Sequence, residues 1–161
     1  MRYSQLIESM SFNAGHLEKK DDGNYWTGDI DSGDRYAPEV YGRDFPQGKE
    51  PTPNPNYKPE LDLTLSNANM RDVFAEIGYP TDLEEQSPFP IDEFIAKTTQ
   101  WLQKHIDKQS KEEPTTVDNN TDGPTMIRGG KQEGYYNQVI MQMNAIARTG
   151  KQNGATHVWA S

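Results

Sequence analysis

The sequence predicts an α+β fold, mainly α, with three principal helices, a small two-stranded sheet and a long Pro/Gly-rich N-terminal segment. Three observations carry this prediction. First, three stretches repeat apolar residues at i, i+3, i+4 and i+7, the signature of a helix with one buried stripe. Second, Leu61, Leu63 and Leu65 alternate with Asp62 and Thr64, and Thr156–Ala160 alternates around Val158, the period-two pattern of strands with one buried face. Third, Gly15, Gly23, Gly28, Gly33, Gly42 and Gly48 punctuate residues 11–60, and Pro46, Pro51, Pro53, Pro55 and Pro59 extend their end. The organisation that follows is a first segment, 1–60, and a small α+β domain, 61–161, interrupted by a flexible linker at about 107–130.

Taken in order, Tyr3, Leu6, Ile7 and Met10 have helical spacing. They predict a short amphipathic helix that needs another surface to be stable. Residues 11–60 carry Tyr25, Trp26, Tyr36, Tyr41, Phe45 and Tyr57. Either these aromatics pin the segment to the domain, each burying ~150–250 Å², or the segment is an arm that orders on a partner. On the second reading Tyr25, Trp26, Tyr36 and Tyr41 are the candidate partner-binding residues.

Residues 61–79 organise the rest. A strand runs into Ser66, Asn67 and Asn69, any of which can cap a helix start by accepting an orphan backbone N–H. Met70, Val73, Phe74 and Ile77 form the stripe of the helix that follows. Gly78 closes it in the left-handed conformation, and Pro80 stops the chain from continuing it. A loop with Asp82, Glu84 and Glu85 leads to the best helical pattern, 91–106, with Ile91, Phe94, Ile95, Thr98, Leu102 and Ile106 on one stripe and Trp101 at its edge. Asp92 and Glu93 suit its positive N-terminal end, and Lys104 and His105 its C-terminal end. After the polar linker, Tyr136, Val139, Ile140, Met143, Ile146 and Ala147 mark a third helix over 135–148. The strand at 156–160 is expected to pair with 61–65, and the three stripes to close over both.

Composition narrows the function. Hydrophobic residues make up only 32% of the 161, mean hydropathy is -0.98, and the aromatic content is 10%. This predicts a modest core without outright disorder. Net charge is -9. Residues 1–62 carry 12 acids against 7 bases, residues 63–114 carry 10 against 5, and residues 115–161 carry 3 against 4. Such a body repels phosphate backbones, so direct nucleic-acid binding is disfavoured; the charge serves solubility, or forms an acidic surface that docks on a basic partner. With no cysteine there is neither a disulfide nor a thiol nucleophile. No secretory signal and no membrane span is recognisable. These features predict a soluble cytoplasmic protein, or one of the host cytoplasm or the virion if the chain is phage-encoded.

Chemical motifs are sparse. G-x-S-x-G, G-x-G-x-x-G and the Walker loop are absent, and His16, His105 and His157 lack metal-ligand spacing. No cofactor is expected. Asp118, Asn120 and Asp122 followed by Gly123 match the first half of a calcium loop, but its twelfth position is Gly129, not glutamate, so no metal is expected. Asp29, Asp31 and Gly33 form a weaker version. Ser66, Asn67 and Asn69 are the candidate ligand site, because free N–H groups at a strand-to-helix junction hold anions; helix capping explains the same positions.

Leu63-Thr64-Leu65-Ser66-Asn67-Ala68-Asn69 with Ile77-Gly78, the helix after Ile91-Asp92, and Gly134-Tyr135-Tyr136 with His157-Val158-Trp159 follow one another in this order. In this the chain resembles a group of small bacterial and phage proteins of unassigned function. They share a leucine-x-leucine-serine-asparagine-x-asparagine element and a glycine-tyrosine, helix, valine-tryptophan end. The resemblance implies the architecture and carries over no catalytic residue. Separately, Leu6-Ile7-Glu8 is similar to the sites at which tailed-phage prohead proteases trim internal head proteins, which implies a mature start at Ser9. The expected role is a non-enzymatic protein-interaction module, a phage or bacterial accessory protein acting through an acidic surface and extended arms. The alternatives are a small-ligand or anion-binding protein or enzyme at Ser66–Asn69, and a head-packaged virion protein.

Overall fold

The computed structural model describes residues 9–38, 48, 50–80, 82–108, 111–112, 114, 116–118, 126–128 and 130–161. The elements run β1 (Ser9–Lys20), β2 (Gly23–Gly28), a 3-10 turn at Pro59–Leu61, β3 (Thr64–Ser66), α1 (Asn67–Glu76), α2 (Leu83–Gln86), β4 (Phe89–Pro90), α3 (Ile91–Lys104), β5 (Thr116–Asp118), β6 (Met126–Arg128), α4 (Tyr135–Gln152) and β7 (His157–Ala160).

The fold is α+β, but not mainly α. Three long helices stand where their stripes predict, and they pack on a five-stranded antiparallel sheet ordered β2-β1-β7-β4, with β3 also paired to β1. The expected pairing of 61–65 with 156–160 does not occur. β1 lies between them and serves one on each side. Ser11 exchanges both backbone hydrogen bonds with Ser161, at 2.8 and 3.1 Å, while the Phe12 N–H donates to the Leu63 carbonyl at 2.9 Å. Alternate residues of β1 therefore bond to opposite neighbours.

Met10 consequently belongs to a strand, not to a helical face; residues 1–8 lie outside the described residues. Met10, Phe12 and Ala14 face inward with Val158 and Ala160 of β7, and all join one continuous core with the helices. The period-two signal in β1 is weak, because Ala14 is small and Gly15 and His16 follow. Within the polar stretch at about 107–130, β5 and β6 pair, with Val117 opposite Ile127.

The core is aromatic at its centre. The Phe12 ring lies 6.2 Å from Phe74 and 5.2 Å from Phe94, and Phe74 meets Phe89 and Phe94 at 5.8 Å. Full burial of each such ring contributes about 1.5–3 kcal/mol. Trp101, read as a stripe-edge residue, is buried and donates from Nε1 to Glu76 Oε1 at 3.0 Å. Thr98 is fully buried on the same face of α3. Its hydroxyl donates to the Phe94 carbonyl at 2.9 Å and accepts from Asn144 Nδ2 at 2.8 Å, a polar tie between α3 and α4.

Residues 29–36 and 52–62 cross the helical side. The Lys58 N–H donates to the Ser32 carbonyl at 2.7 Å, the Tyr57 hydroxyl donates to the Asp62 carboxylate, and Gln142 Nε2 reaches the carbonyls of Pro59, Glu60 and Asp62 at 3.3–3.4 Å. Ile30 packs against the core. Among the described residues, the opposite side of the sheet carries no helix.

Candidate interaction surface

The Ser66–Asn69 junction is built as a cap. The Ser66 Oγ accepts the Asn69 backbone N–H at 3.2 Å, which satisfies one of the orphan donors of the first turn of α1. Asn69 is buried, and its Nδ2 donates to the Tyr135 hydroxyl at 3.4 Å, tying α1 to the start of α4. Its Oδ1 is buried with no hydrogen-bond partner among the described residues. Asn67 sits beside it at the first position of the helix.

Nearby, Lys131 is only 3% exposed and places Nζ 3.0 Å from Asp72 Oδ2. Burial holds the Tyr135 hydroxyl above the ordinary tyrosine range; the bond from Asn69 and the charge of Lys131 act against this, and Asp72 adds to it. A buried ion pair is costly to break, at about 3–5 kcal/mol when one member is removed. The arrangement holds α1 against α4, and the cap engages the Ser66 hydroxyl and the Asn69 backbone amide. Sequence reasoning missed Lys131, because it lies at the end of a polar stretch with no local sign of burial.

The aromatic candidates divide. Tyr25 and Trp26 are adjacent in β2 and therefore point to opposite sides of the sheet. Trp26 lies on the helix-free side, where its ring meets His157 edge-on at 4.9 Å and Trp159 at 5.7 Å. Leu17 stands directly opposite Trp26 in the β1–β2 register, and Asn13 opposite Trp159 in the β1–β7 register. Leu17 is 41% exposed and Trp26 40%. Beneath them a Cβ on Gly15 would fall 2.7 Å from Cη2 of Trp159 and 2.0 Å from the Thr27 carbonyl oxygen, so only glycine lets the indole lie so close to the strand.

Tyr25, at 45% exposure on the other side, has Lys20 Nζ 5.8 Å from its ring centre. Tyr36 forms a bridge with Pro53 away from this patch, and Tyr41 lies outside the described residues. The structure thus joins Trp26 to Leu17, His157 and Trp159. None of the last three was marked as partner-binding: Leu17 meets Trp26 through the β1–β2 register, and His157 and Trp159 arrive through a pairing between strands more than 130 residues apart in sequence.

The remaining polar candidates do not converge. His16 Nδ1 meets Asp29 Oδ2 at 2.7 Å, His105 Nδ1 donates to the Trp101 carbonyl at 2.8 Å while stacking on its indole, and His157 Nδ1 bonds to Thr156 Oγ1 at 2.9 Å. Asp31 Oδ1 accepts the Gly33 N–H at 2.8 Å, an Asx turn. Among the described residues no three His, Asp or Glu side chains gather as a metal site, and no helix is long and apolar enough to cross a membrane. Of the calcium candidates, Asn120 and Asp122 lie outside the described residues, and Asp118 is placed in β5 by its backbone alone. Comparison with protein-family models, curated proteins and solved structures finds no match for the chain.

Proposed function

We propose that the protein is a non-enzymatic protein-interaction module that engages its partner through the helix-free side of the sheet. The observation that carries this reading is the exposed cluster of Trp26 and Leu17 beside Trp159 and His157. Large aromatic side chains dominate the energetics of protein interfaces, because a rigid ring desolvates much area at little entropic cost. The net charge of -9 favours a basic partner and speeds its approach. The likeness of its two motifs to those of small phage and bacterial proteins supports a role as an accessory factor.

A photo-crosslinking amino acid at position 17 is the test, followed by identification of the captured protein from the cells that make this chain. Trp26→Ala should weaken that complex by more than about thirtyfold, the scale of an interfacial hot spot, with the melting temperature little changed. Capture that is equally strong from the Trp26→Ala chain would rule this face out.

A further inference from the structure

We propose that the free edge of β2 is a docking site for an extended, basic peptide, which adds to the sheet as a further strand. This rests on the interaction-module reading and specifies the partner. The two edges of the sheet differ in a way that bears on it. At one edge β4 is two residues long, ends in Pro90, which has no N–H to offer, and passes directly into α3. Edges are commonly protected in this way against unwanted pairing. At the other edge β2 runs for six residues, Gly-Asn-Tyr-Trp-Thr-Gly, with no proline and no charged side chain.

The register states which backbone groups are open. The Asp29 N–H donates to the Ala14 carbonyl at 2.8 Å, which sets the phase of the β1–β2 ladder. Thr27 and Tyr25 therefore direct their backbone groups toward β1. Asn24, Trp26 and Gly28 direct theirs outward. Among the described residues nothing donates to or accepts from these outward groups. A row of unpaired donors and acceptors at strand spacing is complementary to one ligand shape, another strand.

Charge and alternation set the sequence of that strand. From residue 16 to residue 34, six carboxylates (Glu18, Asp21, Asp22, Asp29, Asp31 and Asp34) face two lysines, an excess of four negative charges. Successive side chains of an added strand point to opposite sides. One set would rest beside Trp26 and Leu17 and should be apolar. The other set would lie on the side of Tyr25 and of Glu18, whose Oε2 accepts from Thr27 Oγ1 at 3.0 Å, and should be lysine or arginine.

The probe is a synthetic peptide alternating valine or tyrosine with lysine, compared with a form N-methylated at alternate residues and with a glutamate-for-lysine form. Binding should slow solvent exchange of the Asn24, Trp26 and Gly28 amides. N-methylation of the peptide and Asn24→Pro in the protein each remove N–H donors along the new ladder, and each should weaken binding by about tenfold or more. The glutamate peptide should bind more weakly still.

Absence of binding by the lysine peptide would overturn the proposal. So would equal binding of the N-methylated form, and if Trp26→Ala then abolished that binding, the aromatic face would remain the interaction site without the edge. Concentration-dependent protection of the same three amides with no peptide present, together with a doubled mass in solution, would assign the edge to a second copy of this chain and overturn the proposal equally.

Discussion

Tyr79 shows how one residue can carry an unused polar group within a closely packed set of rings. Its ring packs at 4.4 Å from Phe89, 5.7 Å from Phe74 and 5.9 Å from Phe94, with Lys97 Nζ 4.6 Å from its centre. Its hydroxyl is buried with no hydrogen-bond partner among the described residues. An unsatisfied buried hydroxyl costs about 1–3 kcal/mol, so Tyr79→Phe should stabilise the protein by about 1 kcal/mol. Burial, with a smaller effect of the Glu93 charge, raises the pKa of this hydroxyl well above the ordinary tyrosine value. The folded state therefore favours the neutral form. Its contribution is fully present below the unfolded-state pKa of about 10 and is lost as pH rises through the folded-state value. Urea denaturation should show stability falling above about pH 10, and falling less steeply in Tyr79→Phe. Tyr135, also raised by burial, accounts for part of the remaining slope. A Phe variant less stable than its parent would mean that the hydroxyl is satisfied after all.

At the scale of elements, α4 approaches β1 closely at Gly150. A Cβ there would fall 2.7 Å from the Ala14 Cβ and 3.3 Å from the Ala155 Cβ. Gly150→Ala gains up to about 1 kcal/mol of helix propensity. It also forces α4 away from β1, and overpacking of this kind costs about 1–3 kcal/mol. A net loss of about 1 kcal/mol should appear in thermal or urea melts, and Ala14→Gly in the same chain should recover part of it. Additive losses in the double variant would show that the two positions do not meet.

The same contrast explains what was legible in the sequence. α1, α3 and α4 were readable because large apolar residues recur on one stripe, and the Ser66 cap because its chemistry is local. β1 was not, since its buried face reads Met10, Phe12, Ala14 and then ends in Gly15 and His16, while Tyr3 to Met10 imitates a helix. The surface patch was half legible. Trp26 stands out as an exposed aromatic in a polar stretch, but its neighbours Trp159 and His157 arrive through the β1–β7 pairing, which has no local signature.

For the molecule as a whole, the position of β1 changes what the N-terminal segment does. An arm laid over a finished domain would leave residues 61–161 folded when residues 1–60 are removed. Here β1 holds β3 on one edge and β7 on the other, and β2 follows it. Removing it would leave β3 and β7 without their shared neighbour and strip Met10, Phe12 and Ala14 from the core. Burial of Met10 and Phe12 alone contributes about 3–6 kcal/mol, against a total stability of about 5–15 kcal/mol for a domain of this kind. The lost ladder hydrogen bonds add to the deficit. Residues 61–161 expressed alone should therefore show no cooperative thermal transition and no near-ultraviolet circular dichroism from Trp101 and Trp159. Adding residues 9–28 as a separate peptide should restore both, because the missing strand has a slot with defined hydrogen-bond partners on each side. A sharp melt of 61–161 by itself would mean that the helices carry a sufficient core without the central strand. The N-terminal segment would then be free to serve as the binding arm, and the sheet face would no longer be a fixed platform.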